Sequence, residues 1–311
     1  MGAGFLAGEE SWRAGLGTLR QIVRQELVTR QLAARLAAGQ PMRILDVGCG
    51  QGTQLLALAR GGHRVTGLDS SDTLLADLEA TLAGEAPVVR ERVRLVHGKA
   101  EQLARLVPAR EFDAVLCHGV LMYFADPAPL LAGVAAAVAP GGFASLLVRN
   151  GDALAMRPGL LGHWPTAQRS FDDMSYGNRI GVTARADRLA DLTGLLAGNG
   201  LSVDAWYGVR VFTDTAAQDA PVPAEEELTV LLDCEERAGS TDPYRGVAAL
   251  MHVIAGRANV ALSGRPGTSN LPAAHVSDKK GPGRGMIPSL GRYSAVRLFI
   301  RRPPATPSRR W

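Results

Sequence analysis

Ten residues, Ile44-Leu45-Asp46-Val47-Gly48-Cys49-Gly50-Gln51-Gly52-Thr53, constrain the fold more than any other part of the chain. A buried-strand pattern runs into three glycines at alternate positions, and a helical pattern begins at once. The glycines let a backbone turn come close to a ligand, and the helix N-terminus behind them presents free amide donors. The spacing discriminates between ligands. A dinucleotide-binding turn reads Gly-x-Gly-x-x-Gly, and its third glycine would fall on Thr53. A pyrophosphate over this turn is therefore disfavoured.

Around that unit, apolar runs alternate with amphipathic helices: Arg43–Val47, a helix over 53–60, Arg64–Leu68, a helix over 71–83, Val93–His97, a helix over 100–107, Ala114–Cys117, a helix over 127–138, and Phe143–Val148. The strands are nearly continuous in apolar residues, which predicts a parallel sheet with helices on both faces. Upstream, Leu16, Leu19, Ile22, Val23, Leu27, Leu32 and Leu36 recur at helical spacing and predict an N-terminal helical cap from Trp12 to Ala38. Downstream, Arg149 to Ile180 is irregular and carries His163, Trp164, Phe171 and Tyr176. It leaves the C-terminal edge of the fifth strand, where open α/β sheets bind ligands, and reads as a substrate-covering segment. A helix over 184–199, a sixth strand Ser202–Phe212, a helix over 224–238 and a seventh strand Val247–Gly256 complete a doubly wound α/β sheet.

At 311 residues with 46% hydrophobic side chains, the chain can bury one large core. No apolar run approaches the roughly 20 residues of a spanning helix. The first ten residues, Met1 to Glu10, are too short and acidic for a secretory signal. A cytoplasmic protein without membrane contact is expected. Cys49, Cys117 and Cys234 form no CxxC pair, so neither disulfides nor a metal site is expected, and all three read as buried fillers. The net charge of +4 is unevenly spread: about 11 Lys/Arg and one acid lie from Arg257 onward, leaving 23 basic and 29 acidic residues before it. Residues 1–257 thus read as a mildly acidic folded domain. Residues 258–311, rich in Gly, Pro and Ser, read as a basic disordered tail, either an electrostatic arm for RNA or a solvated extension.

Val65-Thr66-Gly67-Leu68-Asp69 ends a strand in an acid about twenty residues after the first glycine of the turn. A carboxylate there can accept two ribose hydroxyls, so Asp69 points to an adenosine-containing ligand. Two further strand ends face the same crevice: His97-Gly98-Lys99-Ala100-Glu101, and Cys117-His118 followed by Tyr123 and Phe124, whose rings either face a cation or pack in the core.

The strand, Asp46, the three glycines and the helix resemble the first motif of class I methyltransferases, in which the turn cradles S-adenosyl-L-methionine. Leu19-Arg20-Gln21, Leu45-Asp46-Val47-Gly48, His118-Gly119-Val120-Leu121, Ala125-Asp126-Pro127, Pro140-Gly141-Gly142, Gly208-Val209-Arg210-Val211-Phe212-Thr213-Asp214 and Leu232-Asp233-Cys234-Glu235 resemble, in that order, the bacterial tRNA 5-carboxymethoxyuridine methyltransferase family over residues 10 to 257. The resemblance implies a Rossmann-like seven-stranded methyltransferase sheet and methylation of the carboxylate of that wobble uridine. It implies that Arg20 reaches the methionine carboxylate, that Asp46, Gly48, Cys49 and Gly50 shape and contact the donor site, and that Asp69 holds the ribose. Ala100 and Glu101 would meet the adenine, and His118 the region near the sulfonium. The chain departs from the family in lacking a lysine run in the substrate segment, where residues 165–185 offer only Arg169, Arg179 and Arg185.

A carboxylate acceptor, with a pKa of about 4, is ionised at neutral pH and needs no general base. Arg149, Arg157 and Arg210 are candidates to hold it. A hydroxyl or amine on a small-molecule acceptor would instead call on His118 or His163 as base, and a third reading is a non-catalytic adenosine-ligand sensor whose basic tail binds nucleic acid. Nothing in the sequence fixes an oligomeric state.

Overall fold

The computed structural model describes Phe5, residues 7–36 and residues 40–259. Two helices, α1 (Glu9–Ala14) and α2 (Leu19–Ala33), precede the sheet. The sheet then begins with β1 (Arg43–Val47), α3 (Thr53–Arg60), β2 (Arg64–Asp69), α4 (Asp72–Ala83), the single turn α5 (Pro87–Arg90) and β3 (Val93–His97). A 3-10 turn and α6 (Leu103–Leu106) lead to β4 (Phe112–His118), and α7 (Ala128–Ala137) leads to β5 (Val138–Arg149). Next come α8 (Met156–Leu160), α9 (Trp164–Arg169), the hairpin β6 (Ser175–Gly177) and β7 (Thr183–Arg185), α10 (Leu189–Gly198), β8 (Ser202–Val209), α11 (Glu225–Gly239) and β9 (Leu250–Gly256).

Seven strands form one sheet in the order β3-β2-β1-β4-β5-β9-β8. Successive strand residues point to opposite faces, and the core divides accordingly. Ile44, Ala114 and Leu116 join Leu27 of α2 and Leu55 of α3 in one buried cluster. Leu45, Val115 and Cys117 join Leu131 of α7 and Leu196 of α10 in the other. Each fully buried leucine contributes roughly 1.5–3 kcal/mol, so both faces of the sheet are anchored and its C-terminal edge is held in register.

The structure corrects several expectations. The sheet is mixed, not wholly parallel: β9 runs antiparallel to both β5 and β8. The N-terminal cap is two helices, because Gly17 adopts φ +90° between them. The segment 149–180 is only partly irregular, since it carries α8, α9 and β6. The helix expected from Ala184 starts at Leu189, because Ala184 pairs with Tyr176 in the hairpin and Asp187 bridges to Asn150. The seventh strand begins at Leu250, after a 3-10 turn over Tyr244–Val247. The sixth strand stops at Val209. The amides of Val211, Phe212 and Thr213 turn away to the Glu235 carboxylate, and Arg210 takes φ +62°. Cys49 and Cys117 are buried, but Cys234 is exposed on α11. The proposed tail, including the apolar run Ala295–Ile300, lies outside the described residues. Among the described residues, no helix is long and apolar enough to cross a membrane.

Candidate functional site

Gly48, Gly50 and Gly52 adopt φ of +73°, +55° and +80° at the C-terminal end of β1. A Cβ on Gly48 would strike Val120, and one on Gly52 would strike Leu78, so both backbone conformation and space demand glycine. The amides of Gly48 and Cys49 both donate to Leu68 O, at 2.7 and 3.1 Å. Asp69 completes the unit: its carboxylate accepts from the Gly50 amide at 2.8 Å and the Ser71 amide at 3.0 Å. Ser71 in turn caps α4, its hydroxyl accepting from the Leu74 amide. The turn and the strand-end acid therefore form one hydrogen-bonded cradle. The indole of Trp12 lies over it, 3.2 Å from where a Gly50 Cβ would stand.

Two carboxylates are buried here, Asp69 within the cradle and Asp46 on β1 before it. Burial, together with the charge of Asp69, pushes Asp46 up to about 7, with Arg24 opposing. Burial also raises Asp69, against the Ser71 and Gly50 amides that favour its charged form. Burial holds the Cys49 thiol well above its ordinary range, which makes it a packing group and not a nucleophile.

The other predicted strand ends arrive at the same edge. Ala100 is buried and Glu101 exposed in the 3-10 turn after β3, and the preceding Gly98 amide donates to Asp69 O at 2.8 Å. Arg24 of α2 donates to the carbonyl of His118 at 3.3 Å. Tyr123 packs edge-on against Phe5 with ring centroids 5.4 Å apart, and Asn178 donates to its hydroxyl at 3.4 Å. Burial pushes the Tyr123 phenol up to about 12, so it stays protonated at neutral pH.

Arg20 joins a different group. Its guanidinium lies 3.0 Å from Oδ1 of Asp214, where Arg210 also approaches at 3.4 Å. Arg149 and Arg157 approach Oδ2 at 3.4 and 3.9 Å, and Arg157 also donates to the Asp214 carbonyl. Four guanidiniums thus converge on one carboxylate. Burial disfavours the Asp214 charge, but Arg210, Arg149, Arg20 and Arg157 outweigh it and bring the carboxyl down to about 2. Burial lowers Arg210 to about 9 despite Asp214. The Nε atoms of Arg20, Arg149 and Arg210 are buried without a hydrogen-bond partner among the described residues. Tyr176 stacks under Arg149, 5.5 Å from its ring centroid, and its hydroxyl is 3.6 Å from Met122 Sδ. The cluster therefore borders the turn that follows β4. A small cavity runs from Arg149, Arg157 and Asp214 to the exposed side chains of Leu160 and Phe212.

A glycine cradle and a strand-end acid on the first two strands of a 3-2-1-4-5 sheet, with an antiparallel last strand inserted beside β5, agree with the comparisons that follow: this is a class I S-adenosylmethionine-dependent methyltransferase. The profile of a methyltransferase-domain family matches residues 45–146. The chain is 28% identical over 244 residues to a protein of Escherichia coli O157:H7 named tRNA 5-carboxymethoxyuridine methyltransferase, covering 77% of this chain and 90% of that one. It is 34% identical over 162 residues to a ubiquinone biosynthesis O-methyltransferase of Paracidovorax citrulli, covering 50% of this chain and 66% of that one. In fold it is similar to an S-adenosylmethionine-dependent methyltransferase from Mesorhizobium loti, with a TM-score of 0.54 and 22% identity over 78% of this chain and 99% of that one.

The cradle fits S-adenosylmethionine on two counts. Its three glycines hold a positive-φ turn that carries no side chain at the carboxyl end of β1 except Cys49 and Gln51. Its paired buried carboxylates, Asp46 and Asp69, have raised pKa values that a cationic ligand would relieve. Sequence reasoning brought Asp46, Gly48, Cys49, Gly50, Asp69, His118 and Tyr123 to this edge, and the structure gathers them there. It missed Arg24, Asp214 and Glu235 as a working set. Asp214 and Glu235 stand in the sequence only as members of the stretches 208–214 and 232–235, and Arg24 carries no local signal beyond its place one helical turn after Arg20.

Proposed function

We propose that this methyltransferase acts on a carboxylate, that of 5-carboxymethoxyuridine in cytoplasmic tRNA, and yields its methyl ester. The supporting observation is the arginine cluster, with four guanidiniums against the single carboxylate of Asp214. A buried excess of positive charge is costly until an anion joins it. The free Nε–H groups of Arg20, Arg149 and Arg210 supply donors for that anion. The E. coli relative's name matches the same acceptor. Residues 1–257 serve as the catalytic domain, with the basic residues of 258–311 available to RNA phosphates.

When bound, S-adenosylmethionine supplies an electrophilic methyl group on a sulfonium. The backbone turn at Gly48, Cys49 and Gly50, whose amides are already bonded to Leu68 O and Asp69, would border its amino-acid part, and the remaining lone pairs of Asp69 would accept from the ribose. Ala100 and Glu101 border the adenine. Arg20, whose Nε–H is free although its guanidinium pairs with Asp214, reaches the methionine carboxylate, with Arg24 one helical turn further along α2. The acceptor carboxylate is ionised at neutral pH and needs no base. Arg149 and Arg210 orient it for in-line attack, while the segment 149–180 excludes water. His118 and Tyr123 line the methyl path as uncharged groups.

A second reading, O- or N-methylation of a small molecule, draws on the Paracidovorax relative and on His118 as an available base. One experiment separates the two. The full chain is mixed with methyl-labelled S-adenosylmethionine and tRNA lacking the ester. The proposal expects alkali-labile label in RNA, lost in Arg210→Ala while donor binding persists. Label that never reaches RNA but appears on a hydroxyl or amine in a metabolite extract would replace it with the second reading.

A further inference from the structure

Four polar side chains form a line across the sheet beneath the methyl-transfer edge. Gln31 of α2 places Oε1 2.6 Å from Nδ1 of His252 on β9. Nε2 of His252 lies 2.7 Å from Oγ of Ser145 on β5, and the same hydroxyl lies 2.8 Å from Nε2 of His118 at the end of β4. Ser145 and His252 are wholly inaccessible, and Gln31 is 4% exposed. Burial keeps both imidazoles neutral, lowering His252 to about 3 and His118 well below its ordinary value, with His252 and Arg24 adding to the effect on His118.

A neutral imidazole has one N–H and one lone pair, and a hydroxyl can donate or accept. Ser145 therefore decides nothing by itself, and the direction of the chain is set at its far end. Gln31 Oε1 can only accept, so His252 carries its proton on Nδ1. His252 Nε2 is then bare and accepts from the Ser145 hydroxyl. The oxygen of Ser145, its proton committed, accepts from His118, which must carry its proton on Nε2. The remaining nitrogen, His118 Nδ1, has no hydrogen bond to any described residue. An overturned Gln31 amide would reverse every donor in the line.

We infer that Gln31, His252 and Ser145 are positioning residues that fix His118 as its Nε2–H tautomer, so that its unprotonated Nδ1 serves the cationic methyl donor. At that position a neutral N–H would turn the positive end of its dipole, and an imidazolium a full positive charge, toward a sulfonium, whereas a lone pair attracts a cationic donor. The inference rests on the donor site and is independent of the acceptor's identity, so failure to methylate RNA leaves it standing.

Two-bond proton–nitrogen correlations on the full chain with 15N-histidine report the tautomer directly. The expected wild-type spectrum shows His118 protonated at Nε2. Ser145→Ala and Gln31→Met are expected to give mixed tautomers and to weaken S-adenosylmethionine binding about fivefold, the worth of one net hydrogen bond. The uncharged-sulfur product, S-adenosylhomocysteine, is expected to lose less than twofold, a split that general loosening of the fold would not produce. Ser145→Thr keeps the hydroxyl and is expected to restore both readings. His118 protonated at Nδ1 in the wild type overturns the proposal without any variant. So do unchanged tautomers in Ser145→Ala and Gln31→Met, or equal losses for the two ligands.

Discussion

At Asp46, two charges compete for one proton. Burial and Asp69 raise this carboxyl from the ordinary range near 3.8 to about 7. With the folded pKa above the unfolded one, the folded state binds the extra proton between those values, and stability declines as pH rises through that window. A cationic ligand works in the opposite direction, because it favours the carboxylate. Donor binding is therefore expected to expel a proton near neutrality. Affinity for S-adenosylmethionine should rise, by at most about tenfold per pH unit, as pH increases toward 7, and level off above it. Calorimetry at pH 6 in buffers of different ionisation heat measures the release directly. Asp46→Asn should show none, and equal apparent heats in all buffers for the wild type would refute the linkage.

At the scale of elements, the arginine cluster depends on a carboxylate that touches none of its arginines. Glu235 of α11 is 1% exposed and accepts from the amides of Val211, Phe212 and Thr213 and from the Thr213 hydroxyl, at 2.7 to 3.1 Å. Those bonds end β8 and shape the turn that carries Arg210 and Asp214. In Glu235→Gln, one accepting oxygen becomes an NH2 that faces N–H donors. The expected cost is about 2–3 kcal/mol, read as a lower melting temperature, with a raised acceptor KM and donor affinity kept within about twofold. Normal acceptor KM in this variant would show that the turn does not position the cluster.

The same turn shows where legibility in the sequence ends. The strands β1 to β5 and the glycine turn were readable because their signals are local: apolar runs, alternate glycines, a strand-end acid. The end of β8 was not, because an apolar run through Phe212 looks like strand until a glutamate 23 residues beyond Phe212 claims its amides. The relay was equally hidden. Gln31, His118, Ser145 and His252 carry no shared motif, and only the order β4-β5-β9 with α2 packed below makes them neighbours.

For the molecule as a whole, the N-terminal helices form the roof of the site. Trp12 of α1 covers the glycine turn, and Phe5 links Trp12 to Tyr123 through edge contacts. A donor seated on Gly50 must displace or stack beside that indole. Titration with S-adenosylmethionine is therefore expected to change tryptophan emission, and Trp12→Phe to remove most of the change. An unaltered signal in that variant would place the reporter at another tryptophan. Behind the roof, α2 binds four regions at once: Arg20 holds Asp214, Arg24 holds the His118 carbonyl, Arg30 pairs with Asp233 and Glu236 on α11, and Gln31 meets His252. A helix of 15 residues is a stiff rod, and it cannot shift at one of these points without shifting at the others. A displacement of α2 on loading one substrate would be felt at all four contacts, so the two binding steps are expected to be thermodynamically linked, read as a donor affinity that changes when the acceptor is present.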